Sequence, residues 1–294
     1  MPELTVSMPA YNTGKYIGEA IESVLRQESI DFELVVIDDG SQDNTAEVVK
    51  SFKDPRIRLI NNKKNMGISY CHNVVIRESN SPFISHVDSD DLILSGAFQK
   101  MISTLKSFPN LGQVHCYYFV INEDGKMRDS FHNRRKNLVK SIRPDMDYRR
   151  ELLIRGGIMN HLRTYRREVF DVVGKFNEKL KRSVDYEMAL RIVDKYDIKL
   201  VPDFLYCARI HKNNTTQSLR FKEIRFWFQR LLVCRRLLKS NKIDFLKQKE
   251  YNVNRLMILG LCHALLVLTG RILVPIPNRI YNAIASHFSW TAVR

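Results

Sequence analysis

The chain has 294 residues, 44% apolar and 27% charged, which excludes a disordered polypeptide and allows one large α/β domain, alone or with an extension. Its net charge of +15 is uneven, because residues 217–294 hold 14 basic and 3 acidic side chains, about +11 of the total. Charge of that kind suits nucleic acid, anionic lipid or an acidic acceptor, but neither zinc-finger spacing nor an RNP-type aromatic pattern is present.

Residues 3–8 predict a first strand that ends at Pro9 and opens into the loop Pro9-Ala10-Tyr11-Asn12. Nothing here resembles a signal peptide. Residues 15–27 have helical spacing, with Ile17, Ala20, Ile21, Val24 and Leu25 on one face. The run Phe32–Ile37 is β-branched and apolar, as a buried parallel strand requires, and leads into Asp38-Asp39-Gly40-Ser41. Ser41 or Asp43 can cap a helix reaching Phe52. A third strand over 56–60, the polar loop ending in Asn65-Met66-Gly67 and a helix over 68–78 complete a third strand–helix repeat.

A fourth strand over 82–87 delivers Val87-Asp88-Ser89-Asp90-Asp91, with a helix expected just after it. Three carboxylates in four positions, with no Lys or Arg close by, repel one another unless solvent, a cation or hydrogen bonds offset the charge. The cluster reads either as a divalent-cation site, since hard cations favour carboxylate oxygens, or as an acidic loop capping the next helix. Repeated strand–helix units predict a parallel sheet with ligands outside the carboxyl ends of its strands. All four polar loops fall at that end. No GxGxxG follows the first strand and no GxxxxGK[ST] occurs, which argues against dinucleotide and P-loop enzymes.

The second half changes character. A strand over 114–122, a turn at Asn122–Gly125 and a return strand precede a basic, polar surface excursion over 128–150. A strand at 162–166 and a short helix over 167–173, closed by Gly174, come next. Ser183-Val184-Asp185-Tyr186-Glu187 opens an amphipathic helix with acids at its positive end. Residues 200–208 form the last strand, and beyond Gln217 the chain reads as basic, aromatic and helical. The apolar run 256–268 is too short to span a bilayer and suits an interfacial or docking helix. Five scattered cysteines without metal spacing point to a reduced, cytosolic setting.

Taken in order, Val6–Asn12, Val36–Ser41, Asn65–Gly67, Val87–Asp91, Asp185-Tyr186-Glu187 with Leu190-Arg191, and Arg209-x-His211-x-x-Asn214-x-Thr216 resemble the family-2 inverting glycosyltransferases of the GT-A fold. The resemblance covers about residues 3–216. It implies a Rossmann-like, mostly parallel sheet flanked by helices, with a nucleotide-sugar half over 1–112 and an acceptor half over 113–216. The basic helical extension over 217–294 lies beyond it and would bind a membrane surface or pack on the catalytic domain or another subunit.

It also implies roles. Pro9, Ala10, Tyr11 and Asn12 would line the nucleoside pocket, and Asp39 would accept the imide N–H of a uracil, with Asp38 structural. Asn65 and Gly67 would approach the nucleoside or ribose, Gly67 because a side chain could obstruct it. Asp88, with Ser89 beside it, would contact ribose or sugar hydroxyls. Asp90 would bind Mn²⁺ or Mg²⁺, His211 would coordinate that metal or touch the diphosphate, and Asp91 would cap the following helix. Asp185 would be the base that deprotonates the acceptor hydroxyl, with Glu187 the competing candidate and Arg191 bracing the pair. His72 stands where the family often has Arg, so it would replace that donor contact in part, and residues 156–161 would recognise the acceptor.

The implied activity is a metal-dependent transfer from a UDP-sugar to a glycan or lipid-linked saccharide in surface polysaccharide or glycoconjugate synthesis. The protein would be cytoplasmic, or peripheral at the inner face of the membrane through its basic extension. Transfer to a polyprenyl phosphate is the alternative within the class. A non-catalytic nucleotide-sugar or nucleic-acid binding protein is the alternative outside it.

Overall fold

The computed structural model describes residues 1–127, 143, 145–155, 158, 161–180, 183–212, 232–234 and 237. Eight strands form one sheet: β1 Leu4–Ala10, β2 Phe32–Asp38, β3 Ile57–Asn61, β4 Phe83–His86, β5 Leu92–Ile93, β6 Leu111–Ile121, β7 Thr164–Arg166 and β8 Asp197–Arg209. Their spatial order is β3-β2-β1-β4-β7-β6-β8-β5. The first four strands are mutually parallel, as is the β6–β8 pair, whereas β7 runs against both β4 and β6, and β5 runs against β8.

Burial on both faces explains the apolar character of β2. Alternate side chains point to opposite faces, so Leu34 and Val36 join a core shared with α1 (Ile17–Leu25) and α4 (Ala97–Ser107). Val35 and Ile37 meet Cys71, Val74 and Val75 of α3 (Ile68–Glu78) on the other face. Helix α1 buries Ile17, Ala20, Ile21 and Val24, an i, i+3, i+4, i+7 stripe. Each of its larger apolar side chains contributes about 1.5–3 kcal/mol. Helix α2 (Thr45–Ser51) starts where Asp43 accepts the Thr45 N–H at 3.0 Å.

A separate core lies under the second half. Helices α5 (Tyr148–Arg155), α6 (Val169–Val172) and α7 (Val184–Lys195) pack there around Tyr165, Leu152, Phe170, Tyr186 and Leu190. The excursion expected up to residue 150 therefore ends earlier than its polarity suggests. Tyr148 is buried and its hydroxyl lies 2.7 Å from His115 Nε2, a partner that the local pattern cannot show. Residues 128–142 lie outside the described residues.

Most of the expected C-terminal helix also lies outside the described residues, as does the run 256–268. Of its described residues, Val233, Cys234 and Leu237 are buried in this second core, while Leu232 is exposed. Among the described residues, no helix is long and apolar enough to cross a membrane.

Candidate active site

The carboxyl ends of β1, β2 and β4 meet at one edge, and hydrogen bonds stitch their loops together. Asn12, at φ +54°, donates its N–H to Ser41 Oγ at 3.0 Å and accepts the Gln42 N–H at 2.8 Å. Asp38 accepts the Ser41 N–H at 3.1 Å, a structural task. Pro9 is half-buried and Ala10 buried in the strand end, while Tyr11 is 46% exposed.

Asp39 is buried, and three donors converge on its carboxylate: Asn62 Nδ2 at 2.7 Å, Met66 N at 2.9 Å and Gly67 N at 2.8 Å. Asp39 thus shapes the loop that carries Asn65, which itself is exposed. Gly67 stands at φ +91° with ψ 156°, and a Cβ built there would meet no protein atom within 4 Å. Backbone conformation, rather than crowding, therefore calls for glycine.

The acidic loop is held from β8. Asp91 is 4% exposed and accepts the Arg209 N–H at 2.7 Å, so it ties the loop to β8 and does not cap a helix. The intervening β5 and Gly96, the residue before α4, displace the expected helix start to Ala97. Arg209, with a fully buried guanidinium, donates to the Asp90 carbonyl at 2.9 Å and the Glu123 carbonyl at 2.8 Å, and pairs with Glu19 at 2.7 Å. Tyr206 adds its hydroxyl, 3.1 Å from the Asp88 N–H. Ser89 is buried.

His211 Nε2 lies 2.8 Å from Asp90 Oδ2, which brings the two expected metal ligands together. Asp88, Asp91 and His161 form a second group able to hold a cation, their ligand atoms within 4.8 Å of one another. Burial pushes the Asp91 carboxyl well above the usual carboxylate range, and Asp90 and Asp88 push it further. Burial would raise Asp88 too, but His161 and Arg163 outweigh it and hold that carboxyl at about 2. Carboxylate oxygens and imidazole nitrogens crowded this closely fit a divalent cation, which would offset the repulsion.

Asp185 sits at the start of α7 with its side chain 41% exposed, and its Oδ2 lies 3.4 Å from Arg163 Nη1. Glu187 is buried and bound by Arg191 Nε at 3.0 Å and Nη2 at 2.7 Å. Arg191 also donates to the carbonyls of Val173, Gly174 and Lys175, so it braces Glu187 and that loop rather than Asp185.

His72 does not face the cleft. It is 1% exposed, its Nδ1 lies 3.0 Å from Ser7 Oγ, and its ring stacks on His86 at 3.5 Å. Of residues 156–161, Gly156, Gly157, Met159 and Asn160 lie outside the described residues, Ile158 is buried and His161 faces Asp88 and Asp91 at 3.6 and 3.7 Å.

Sequence reasoning assigned no role to Arg163 or Tyr206, none to Arg209 beyond its place in a motif, and placed His161 only within the stretch expected to recognise the acceptor. The available signal was a charge at a strand end, at Arg163 before β7 and at Arg209 closing β8.

Residues 5–174 match the family model described as glycosyl transferase family 2. The chondroitin synthase of Pasteurella multocida (strain Pm70) is 28% identical over 218 residues, which is 74% of this chain but 21% of that enzyme's length. The chain thus spans about a fifth of that curated relative.

Among solved structures, S. aureus TarS 1–349 in complex with UDP-GlcNAc superposes with a TM-score of 0.67 at 19% identity, covering 90% of this chain and 73% of that one. The mannosyltransferase PcManGT from Pyrobaculum calidifontis, in complex with GDP-Man and Mn²⁺, gives 0.63 at 17% identity, covering 98% and 80%. Both likenesses show a shared fold, the GT-A fold. With over half its length matched by the family model, the chain belongs to glycosyl transferase family 2.

Proposed function

We propose that the chain transfers a sugar, with inversion, from a UDP-sugar to a hydroxyl of a glycan or lipid-linked saccharide in polysaccharide or glycoconjugate synthesis. The observation that carries this reading is the meeting of two acids from different halves: Asp88 after β4 and Asp185 on α7 both face Arg163. A half-exposed carboxylate paired with a cation that also faces the sugar-binding acid can serve as the base that inversion needs. Asp185 takes the proton of the acceptor hydroxyl as that oxygen attacks the anomeric carbon, and the bond to the nucleoside diphosphate breaks on the opposite face.

Asp88 orients sugar or ribose hydroxyls. The loop shaped by Asp39 and Gly67, with Tyr11, holds the nucleoside, and spare acceptor capacity on the Asp39 carboxylate serves the uracil imide. Asp90 and His211 are the residues that would hold Mn²⁺ or Mg²⁺. Such an ion, when bound, neutralises charge on the departing diphosphate. The relatives' ligands, UDP-GlcNAc in one and GDP-Man with Mn²⁺ in the other, support a nucleotide-sugar donor with a metal.

The test is a thermal-shift panel of nucleotide sugars with and without Mn²⁺, followed by transfer assays on Asp185→Asn. A metal-dependent shift for one UDP-sugar and retained donor binding with about 10²–10⁴-fold less transfer are expected. A shift for no nucleotide sugar, or full transfer by the variant, would sink the reading.

A further inference from the structure

The segment just before β7 is built for more than connection. Leu162 stands at φ +52°, a left-handed conformation that costs a bulky residue on the order of 1–2 kcal/mol. Its side chain is buried in the core under the first half of the sheet. With Leu162 anchored there, its neighbours His161 and Arg163 face the acids of the site. Because β7 runs against β4, the amino end of β7 arrives at the carboxyl end of β4, where the acidic loop begins.

Arg163 is held on both sides of that junction. Its carbonyl accepts the His86 N–H at 2.9 Å, which ties it to the strand delivering Asp88. Its side chain is 11% exposed and reaches Asp185 Oδ2 at 3.4 Å, while its Nε has no partner among the described residues. A guanidinium this buried needs counter-charge, and breaking such a pair leaves an uncompensated charge. Asp185 supplies that charge at 3.4 Å, and Asp88, just past the strand whose His86 N–H binds the Arg163 carbonyl, adds to it from the other half of the site. A planar fork can address two carboxylates at a fixed separation, whereas an ammonium acts as a single point.

We propose that Arg163 is a positioning residue that sets the Asp185 carboxylate against the sugar-binding Asp88, so that base and donor sugar keep one geometry. This rests on the reading of Asp185 as the base. A role confined to stability would lower the amount of folded enzyme and leave the turnover of what remains intact. A positioning role lowers turnover through Asp185 and spares donor binding.

The experiment is a double-mutant cycle on the full chain with Mn²⁺ and the UDP-sugar found by the thermal-shift panel, with UDP affinity read by calorimetry. Arg163→Met is expected to lower kcat about 100-fold, as misplacement of a reacting group does, with donor KM and UDP affinity within about threefold of the parent. Arg163→Lys should recover part of that loss. In the Asp185→Asn background, Arg163→Met should cost little further, because two residues acting as one unit are not additive.

Equal losses in both backgrounds, unchanged kcat in Arg163→Met, or a loss of UDP affinity matching the loss of kcat would each overturn the proposal. If Arg163→Met does not fold, Arg163→Lys carries the same cycle with the same criteria. Full activity in Asp185→Asn alone refutes the base assignment, an outcome read from a different variant.

Discussion

The Tyr186 hydroxyl and the Cys234 thiol lie 3.3 Å apart, although 48 residues separate them. Tyr186 follows Asp185 on α7, so part of the C-terminal stretch is packed onto the helix that carries the proposed base. Val233, Cys234 and Leu237 are all buried there. Truncation after Thr216 should therefore cost several kcal/mol, at about 1.5–3 kcal/mol for each larger apolar side chain. Thermal denaturation checks this. An unchanged melting temperature would mean that the contact contributes nothing.

Asp39 organises its loop through three donors, two of them backbone N–H groups. Hydrogen bonds to a charged group contribute about 1.5–3 kcal/mol each. Asp39→Ala leaves those donors without their acceptor and should lower UDP affinity at least tenfold in calorimetry. Asp39→Asn, which keeps one carbonyl oxygen, should fall between the two.

Gly67 occupies a backbone region that side chains strongly disfavour, yet it has space around it. Gly67→Ala should therefore cost about 1–3 kcal/mol from strain alone. The measurement is a denaturant midpoint. If the substitution proves neutral, the loop adopts another conformation in solution.

Acid should weaken the fold through its buried imidazoles. Burial, reinforced by Arg163, holds His72 and His115 at about 3, below the ordinary 6.5. Above pH 6.5 neither folded nor unfolded chain protonates these rings, and stability is flat with respect to them. As pH falls from 6.5 toward 3, the unfolded chain takes up protons that the folded chain refuses. Each ring then costs about 1.4 kcal/mol per pH unit. Denaturant midpoints between pH 7 and pH 5 should drop accordingly. His115→Gln, which can keep a bond to the Tyr148 hydroxyl, should remove one ring's share of the slope.

The first half of the sheet was legible because its strands are apolar on both faces and its helices carry regular stripes, as Leu34, Val36 and Ile17 illustrate. The loops after those strands were legible because their polar residues interrupt those runs abruptly. What the chain order concealed was pairing across long separations. Nothing near Asp91 indicates that its carboxylate binds the Arg209 N–H, and nothing near Asp185 points to Arg163. His72 was misplaced for a related reason: a polar residue near a loop suggests contact with ligand, but here Ser7 and the stacked His86 enclose it. Short strands were also hard to see, since β5 has two residues and its partner lies on β8.

The reversed strand β7 has a mechanical consequence. It has three residues, but its pairing on both sides makes one continuous sheet from β3 to β5. Two lobes joined by such a seam have no hinge between them, because opening one would break ladder hydrogen bonds on either side of Thr164 and Tyr165. Any enclosure of substrates then falls to connecting loops, while the sheet acts as a rigid jig. The spacing between the proposed donor-binding and proton-accepting ends is thereby set during folding, before any substrate arrives.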